Sequence, residues 1–227
     1  MTQTTDSDAP ASPRRTISLA IPSPSPTHDY ILTEPRLTDC PHITAIFAHP
    51  IKNIPIYKGT LSIPNPFTLE LCEKWVTKNQ ANFASEGAVL GFMIRAVPKD
   101  TGGDGMPVGW IDFRRDERLL RDDDGNLLKE PPCGVELGYW LDPEHGGYGV
   151  MGAAVKAMCD IAFNDVGVER VFGQCFVENA ASARVMERAG MKLDGTLRAL
   201  VRKHGKPMDC KQYSILRHEW EALRTDR

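Results

Sequence analysis

Apolar residues recur along this chain in two rhythms, and the switches between them mark out its elements. Residues 30–37 read as a first strand, and residues 39–48 as a short helix opened by Thr38 or Asp39. From residue 50 to 67 the prolines Pro50, Pro55, Pro64 and Pro66 break any regular period, so a long irregular connection is expected. Thr68 then caps a helix through Asn79, with Leu71, Trp75 and Val76 on one face. Strands are expected over 88–97 and 107–114, separated by an Asp/Gly loop. After a polar excursion holding the turn signal Asp122-Asp123-Asp124-Gly125-Asn126, a further strand covers 134–141.

The second half has a clearer pattern. Ala154, Met158, Ile161 and Ala162 repeat at helical spacing over 152–164, and Gly167 stands where a C-terminal cap belongs. Residues 168–177 form a strand with Phe172 and Phe176 on one side. Asn179 opens a helix that stops at Gly190, and strands over 192–202 and 208–217 flank the hairpin connection His204-Gly205. The order implies a mixed α/β (α+β) domain over residues 28–222, with one crossover. Its central sheet has about seven strands, mostly antiparallel, flanked by about four helices. Residues 1–27 are rich in Ser, Thr, Pro and Asp and read as a flexible tail.

Composition narrows the function. With 41% hydrophobic and 25% charged residues in 227, the chain resembles an average globular domain. A formal charge of −3 gives no reason to expect a nucleic-acid or membrane partner, so an anionic ligand has to be met by local geometry. The six cysteines form no C-x-x-C pair and the six histidines are scattered, so reduced thiols, a cytoplasmic setting and no metal are expected. No apolar run is long enough for a membrane helix, and the acidic N-terminus has no secretory pattern.

The stretch Glu136-Leu-Gly-Tyr-Trp-Leu-Asp-Pro-Glu-His-Gly-Gly-Tyr-Gly-Val-Met-Gly152 runs strand, glycine turn, helix. Glycines let backbone N–H groups converge, and a helix N-terminus adds partial positive charge, which together make an anion cradle suited to a diphosphate. A structural glycine turn would look the same. Gly147, Gly149 and Gly152 also fit the dinucleotide pattern of an oxidoreductase, but here the turn follows four strands instead of opening the chain.

Residues 134–190 resemble the GNAT superfamily, and within it the RimJ/RimL-type N-acetyltransferases. Three blocks carry the likeness: the strand 136–143, the glycine loop with Ala154-Val-Lys-Ala157, and Val177-Glu-Asn-Ala-Ala-Ser-Ala-Arg-Val-Met-Glu-Arg-Ala-Gly190. Gly146 stands where the family usually has Arg, Gln or Trp, and Met151 where it has Gly or Ala. The resemblance implies acetyl-CoA as co-substrate, without metal, and direct transfer of acetyl to a primary amine, either a protein N-terminus or a small molecule. Main-chain groups of Trp140 and Leu141 would pair with the pantetheine arm. Amides of Gly146, Gly147, Tyr148, Gly149, Val150, Met151 and Gly152 would hold the diphosphate, and Asn179 would touch the arm.

For catalysis Glu136 is the expected base, a strand glutamate whose alternative is an ordinary strand-edge charge. Met186 takes the place where many GNAT enzymes carry a tyrosine acid, so the resemblance shifts that role to Ser182. Its alternative is a capping residue. Tyr57, Phe67, Asp112 and Tyr139 are expected at the acceptor end. A non-catalytic acyl-CoA-binding module is the other reading, and the chain is expected to be a monomer or a homodimer.

Overall fold

A computed structural model of the chain describes residues 18–84, 91–115 and 133–225. The turn expected at residues 122–126 and the start of the strand expected from residue 88 lie outside them. The strands are β1 (Ser18–Ile21), β2 (His28–Thr33), β3 (Gly91–Pro98), β4 (Met106–Arg115), β5 (Gly134–Leu141), β6 (Arg170–Phe176), β7 (Lys192–Lys203) and β8 (Lys206–Leu216). The helices are α1 (Cys40–Ala48), α2 (Asn53–Gly59), α3 (Leu69–Ala84), α4 (Val150–Ile161), α5 (Ala180–Arg188) and α6 (Arg217–Thr225).

All eight strands join one sheet in the order β1-β2-β3-β4-β5-β6-β8-β7. Each neighbouring pair is antiparallel except β5 and β6, which α4 connects by a crossover. That parallel pairing runs only from Gly134 and Arg170 to Leu137 and Gly173. Both strands continue, to Leu141 and Phe176, but without each other. They part like a V, and the notch between them is where the site forms.

Strand alternation sends successive side chains to opposite faces. One face meets α1, α2 and α3 through a cluster including Phe47, Ile56, Val76, Met93, Trp110 and Trp140. The other meets α4 and α5 through Ile111, Leu137, Val155, Met158 and Met186. Between the layers Asp39 and Arg95 form a buried ion pair at 2.8 Å, the side chains 4% and 2% exposed. Thr33 Oγ1 accepts from Arg95 Nε at 2.7 Å, so the buried charge is held by more than one partner.

Several expectations need correction. Residues 18–27 are not tail: β1 pairs with β2, Ile21 is buried in the core, and Ser25 is buried too. Edge pairing draws on main-chain groups, which composition does not report. The stretch 50–67 contains α2, because Pro55 sits in its first turn, where an N–H has no helical partner to lose. Helix α3 runs five residues beyond Asn79, ending at Ala84. Helix α4 starts at Val150, not residue 152, after Gly149 turns left-handed at φ 72°. Helix α6 was not foreseen; its buried Trp220 packs against Phe163 at 6.3 Å between ring centroids. The hairpin is as expected, with His204 and Gly205 both at positive φ, 48° and 77°.

Candidate active site

A cleft of about 1520 Å³ runs through the notch, bordered by the C-terminal ends of β5 and β6 and by the starts of α4 and α5. At one end lies the glycine turn. Asp142 caps a short 3-10 turn by accepting from the Glu144 N–H at 3.0 Å, and Lys52 Nζ holds Glu144 Oε2 at 2.6 Å. Gly147 and Gly149 have φ of 85° and 72°, conformations that side chains bearing a Cβ rarely adopt. A Cβ built at Gly147, Gly149 or Gly152 would meet no protein atom within 4 Å, so all three border open cleft.

The amides of this turn are not equivalent. Gly146 N–H already donates to the Pro143 carbonyl at 3.0 Å, which removes it from the expected anion ligands. The first helical bond joins Ala153 N–H to the Gly149 carbonyl at 3.0 Å. The N–H groups before it therefore have no partner within the helix. They stand at the positive end of α4, an environment that favours a negative charge. Val150 and Met151 turn their side chains into the core, 1% and 6% exposed, so the bulk at residue 151 is taken up by packing.

Next along the cleft, β5 pairs with β4 through Trp140 and Leu141 and has no β6 partner on its other edge. That leaves main-chain groups open to an extended amide-bearing chain. Asn179 caps α5, its Oδ1 accepting from Ser182 N–H at 3.1 Å. A Cβ on Gly59 would come within 2.9 Å of Asn179 Nδ2, so the end of α2 closes over the start of α5.

Side-chain alternation on β5 then divides the candidate residues. Glu136, Gly138 and Trp140 face the α1–α3 side, together with their cross-strand partners Arg114, Asp112 and Trp110. Tyr139 faces the α4–α5 side, where its hydroxyl lies 2.7 Å from Ser182 Oγ and 3.3 Å from the Ser182 carbonyl. The structure therefore does not bring Tyr139 together with Asp112 as an acceptor contact. It pairs Tyr139 with Ser182, and an odd spacing from Glu136 on one strand is the signal that separates them. Burial pushes the Tyr139 phenol well above its ordinary value. The Cys175 thiol is held beside Ser182 and raised by burial, and so stays protonated at neutral pH.

Burial also raises the Asp112 carboxyl, opposed by the Trp110 indole N–H and the Arg114 guanidinium. Arg114 Nε stands 3.9 Å from Asp112 Oδ1, and the Asp112 side chain remains 25% exposed. Glu136 borders the same cleft, half-buried and engaged with a neighbour. Phe67 lines the cleft. Tyr57 lies behind it, its ring against Phe47 at 5.7 Å and its hydroxyl sealed.

Two features were missed in the sequence. Lys203 Nζ donates to the carbonyls of Tyr57, Lys58 and Thr60 and lies 4.9 Å over the Phe176 ring, tying the β7–β8 hairpin to the end of α2. The histidines, scattered in sequence, gather in part: His28, His42, His49 and His145 ring a cavity of about 290 Å³ behind the glycine turn. Among the described residues no group of three or more His, Cys, Asp or Glu is placed to hold a metal ion. Nor is any described helix long and apolar enough to cross a membrane.

Comparison with known proteins agrees with this fold. Residues 30–192 match the sequence model of the acetyltransferase (GNAT) domain. A stretch of 111 residues is 29% identical to the uncharacterized N-acetyltransferase YoaA of Bacillus subtilis (strain 168), covering 48% of this chain and 63% of the relative. Another of 91 residues is 35% identical to the ribosomal-protein-serine acetyltransferase of Escherichia coli (strain K12), covering 40% and 44%. The chain thus spans less than two thirds of the length of either relative. Mycobacterium smegmatis RimJ, solved in complex with CoA-disulfide, shares the fold at a TM-score of 0.70 and 17% identity, over 92% of this chain and 93% of that one. The dinucleotide reading falls with this match and with a sheet that has a single parallel pair.

Proposed function

The chain belongs to the GNAT acetyltransferase family, and from that premise we propose that it is an acetyl-CoA-dependent N-acetyltransferase acting directly on a primary amine of a protein N-terminus or a small molecule. One observation carries the reading: the notch where β5 and β6 part, with an amide cradle at one end and titratable groups on both of its faces. Acetyl-CoA supplies the activated thioester. The N–H groups from Gly147 to Gly152 hold its diphosphate, with Tyr148, Val150 and Met151 contributing main chain only. The open edge of Trp140 and Leu141 pairs with the pantetheine amides, and Asn179 borders the arm.

On the α1–α3 face Glu136 accepts the proton that the amine loses, directly or through water, while Asp112 draws the ammonium in. On the opposite face Ser182, positioned by Tyr139, donates toward the departing sulfur. Base and acid approach from opposite sides, so neither has to move during transfer. The six cysteines are free thiols, which accords with a cytoplasmic enzyme.

The test is release of free thiol from acetyl-CoA in the presence of an amine panel, with the acetylated product identified by mass. Turnover on an amine supports the proposal. Binding of acetyl-CoA with no turnover on any amine would favour the non-catalytic module.

A further inference from the structure

Beyond Asp112 the α1–α3 face of the cleft changes character. Two groups of rings line it: Trp75 against Trp110 at 4.5 Å between centroids, and Phe47 against Phe67 at 4.8 Å and Trp140 at 5.0 Å. Phe67 and Trp75 are only half-buried, so both keep ring surface for a ligand. Pro55 and Pro64 complete this wall and have no N–H to offer.

The polar groups here are few and specific. Asp112 Oδ1 and Trp110 Nε1 are buried without a hydrogen bond of ordinary geometry among the described residues, although the indole N–H still acts on the carboxylate. The Asp112 side chain as a whole stays 25% exposed to a ligand. Gly138 makes room for the carboxylate: a Cβ there would lie 2.6 Å from Asp112 Oδ1 and 2.5 Å from an Arg114 nitrogen. On its far side Arg114 presents a half-exposed positive charge. The carboxylate thus stands between the ring groups and the Arg114 guanidinium, where an ammonium can meet it.

We infer that the acceptor is a small primary amine carried on an aromatic body, of the arylalkylamine class, with its ammonium at Asp112 and its ring against Trp75 and Phe67. The inference rests on the acetyltransferase reading above. A flat apolar body gains contact with both groups of rings, whereas peptide amides buried against those rings would find no partner on them. A polyamine has no aromatic body and would gain nothing from the rings, whichever of Asp112 and Glu136 met its charges.

The test measures kcat/KM for tryptamine and 2-phenylethylamine against spermidine and a serine-headed tetrapeptide amide, using the full chain. The expected result is a preference of about tenfold to a hundredfold for the two aromatic amines, the range a hydrophobic pocket supplies. Trp75→Leu is expected to raise the KM for tryptamine about tenfold while leaving the KM for acetyl-CoA in place. Asp112→Asn is expected to lower kcat/KM for tryptamine. Equal or better rates with spermidine or the peptide, or an unchanged tryptamine KM in Trp75→Leu, would overturn the inference and leave acetyl transfer standing. A chain that fails to bind acetyl-CoA would remove both.

Discussion

The Tyr139 hydroxyl lies 2.7 Å from Ser182 Oγ, joining the strand beside the notch to the first turn of α5. Neither residue carries this arrangement alone. Asn179 accepts from the Ser182 amide and sets the turn, and Tyr139 fixes the direction of the serine hydroxyl. A buried phenol held far above its ordinary value remains protonated across the working range, so it keeps a proton to share.

If Ser182 is the acid, Ser182→Ala is expected to lower kcat by about a hundredfold, the lower end of what a positioned proton donor contributes. Tyr139→Phe removes only the orienting bond, and a loss of about tenfold is expected. Steady-state rates at saturating acetyl-CoA check both. The same KM for acetyl-CoA in each variant would show that the fold and the cradle survive.

Gly149 starts α4 from a left-handed conformation at φ 72°, with open cleft where a Cβ would project. Gly149→Val is expected to abolish detectable acetyl-CoA binding in calorimetry, because a β-branched side chain strains that φ and blocks the backbone approach. The strain itself costs about 1–3 kcal/mol of stability, small enough for circular dichroism to confirm a folded variant. Retained affinity would place the cradle elsewhere.

These three predictions draw on parts of the site that were unequally legible in the sequence. The glycine turn and the Asn179 cap could be read directly, since positive φ and N-cap geometry restrict residue type locally. Helix α2 was hidden by Pro55, whose meaning depends on whether it falls in a first turn. The β1 edge was hidden because pairing through main-chain groups leaves little mark on composition. Tyr139 was placed with the acceptor although strict alternation from Glu136 puts it on the other face. Lys203 was beyond reach, because its carbonyl partners lie in α2 and just after it, more than 140 residues earlier in the chain.

Asp112 makes a pH prediction whose sign is fixed by burial. Its carboxyl is raised in the fold, so the folded protein binds this proton more readily than the unfolded chain. Ionised Asp112 therefore destabilises the fold at neutral pH, and that penalty fades as pH falls through the raised value, vanishing below the ordinary value of 3.8. Asp112→Asn is expected to raise the urea midpoint at neutral pH, with the gain shrinking on acidification. A gain independent of pH would mean the carboxyl is not raised.

Asp39 and Arg95 test the scaffold apart from the chemistry. Removing one partner leaves a buried charge unpaired, and Asp39→Ala is expected to cost about 3–5 kcal/mol in denaturant unfolding. A loss under about 1 kcal/mol, the range of a surface pair, would show that solvent reaches Arg95.

A crystal structure of the chain with coenzyme A bears most directly on how the notch works. The expected density places the diphosphate on the amides from Gly147 to Gly152 and the sulfur within hydrogen-bond distance of Ser182 Oγ, with Glu136 across the sheet from it. A diphosphate bound away from the head of α4, or a sulfur out of reach of Ser182, would contradict it.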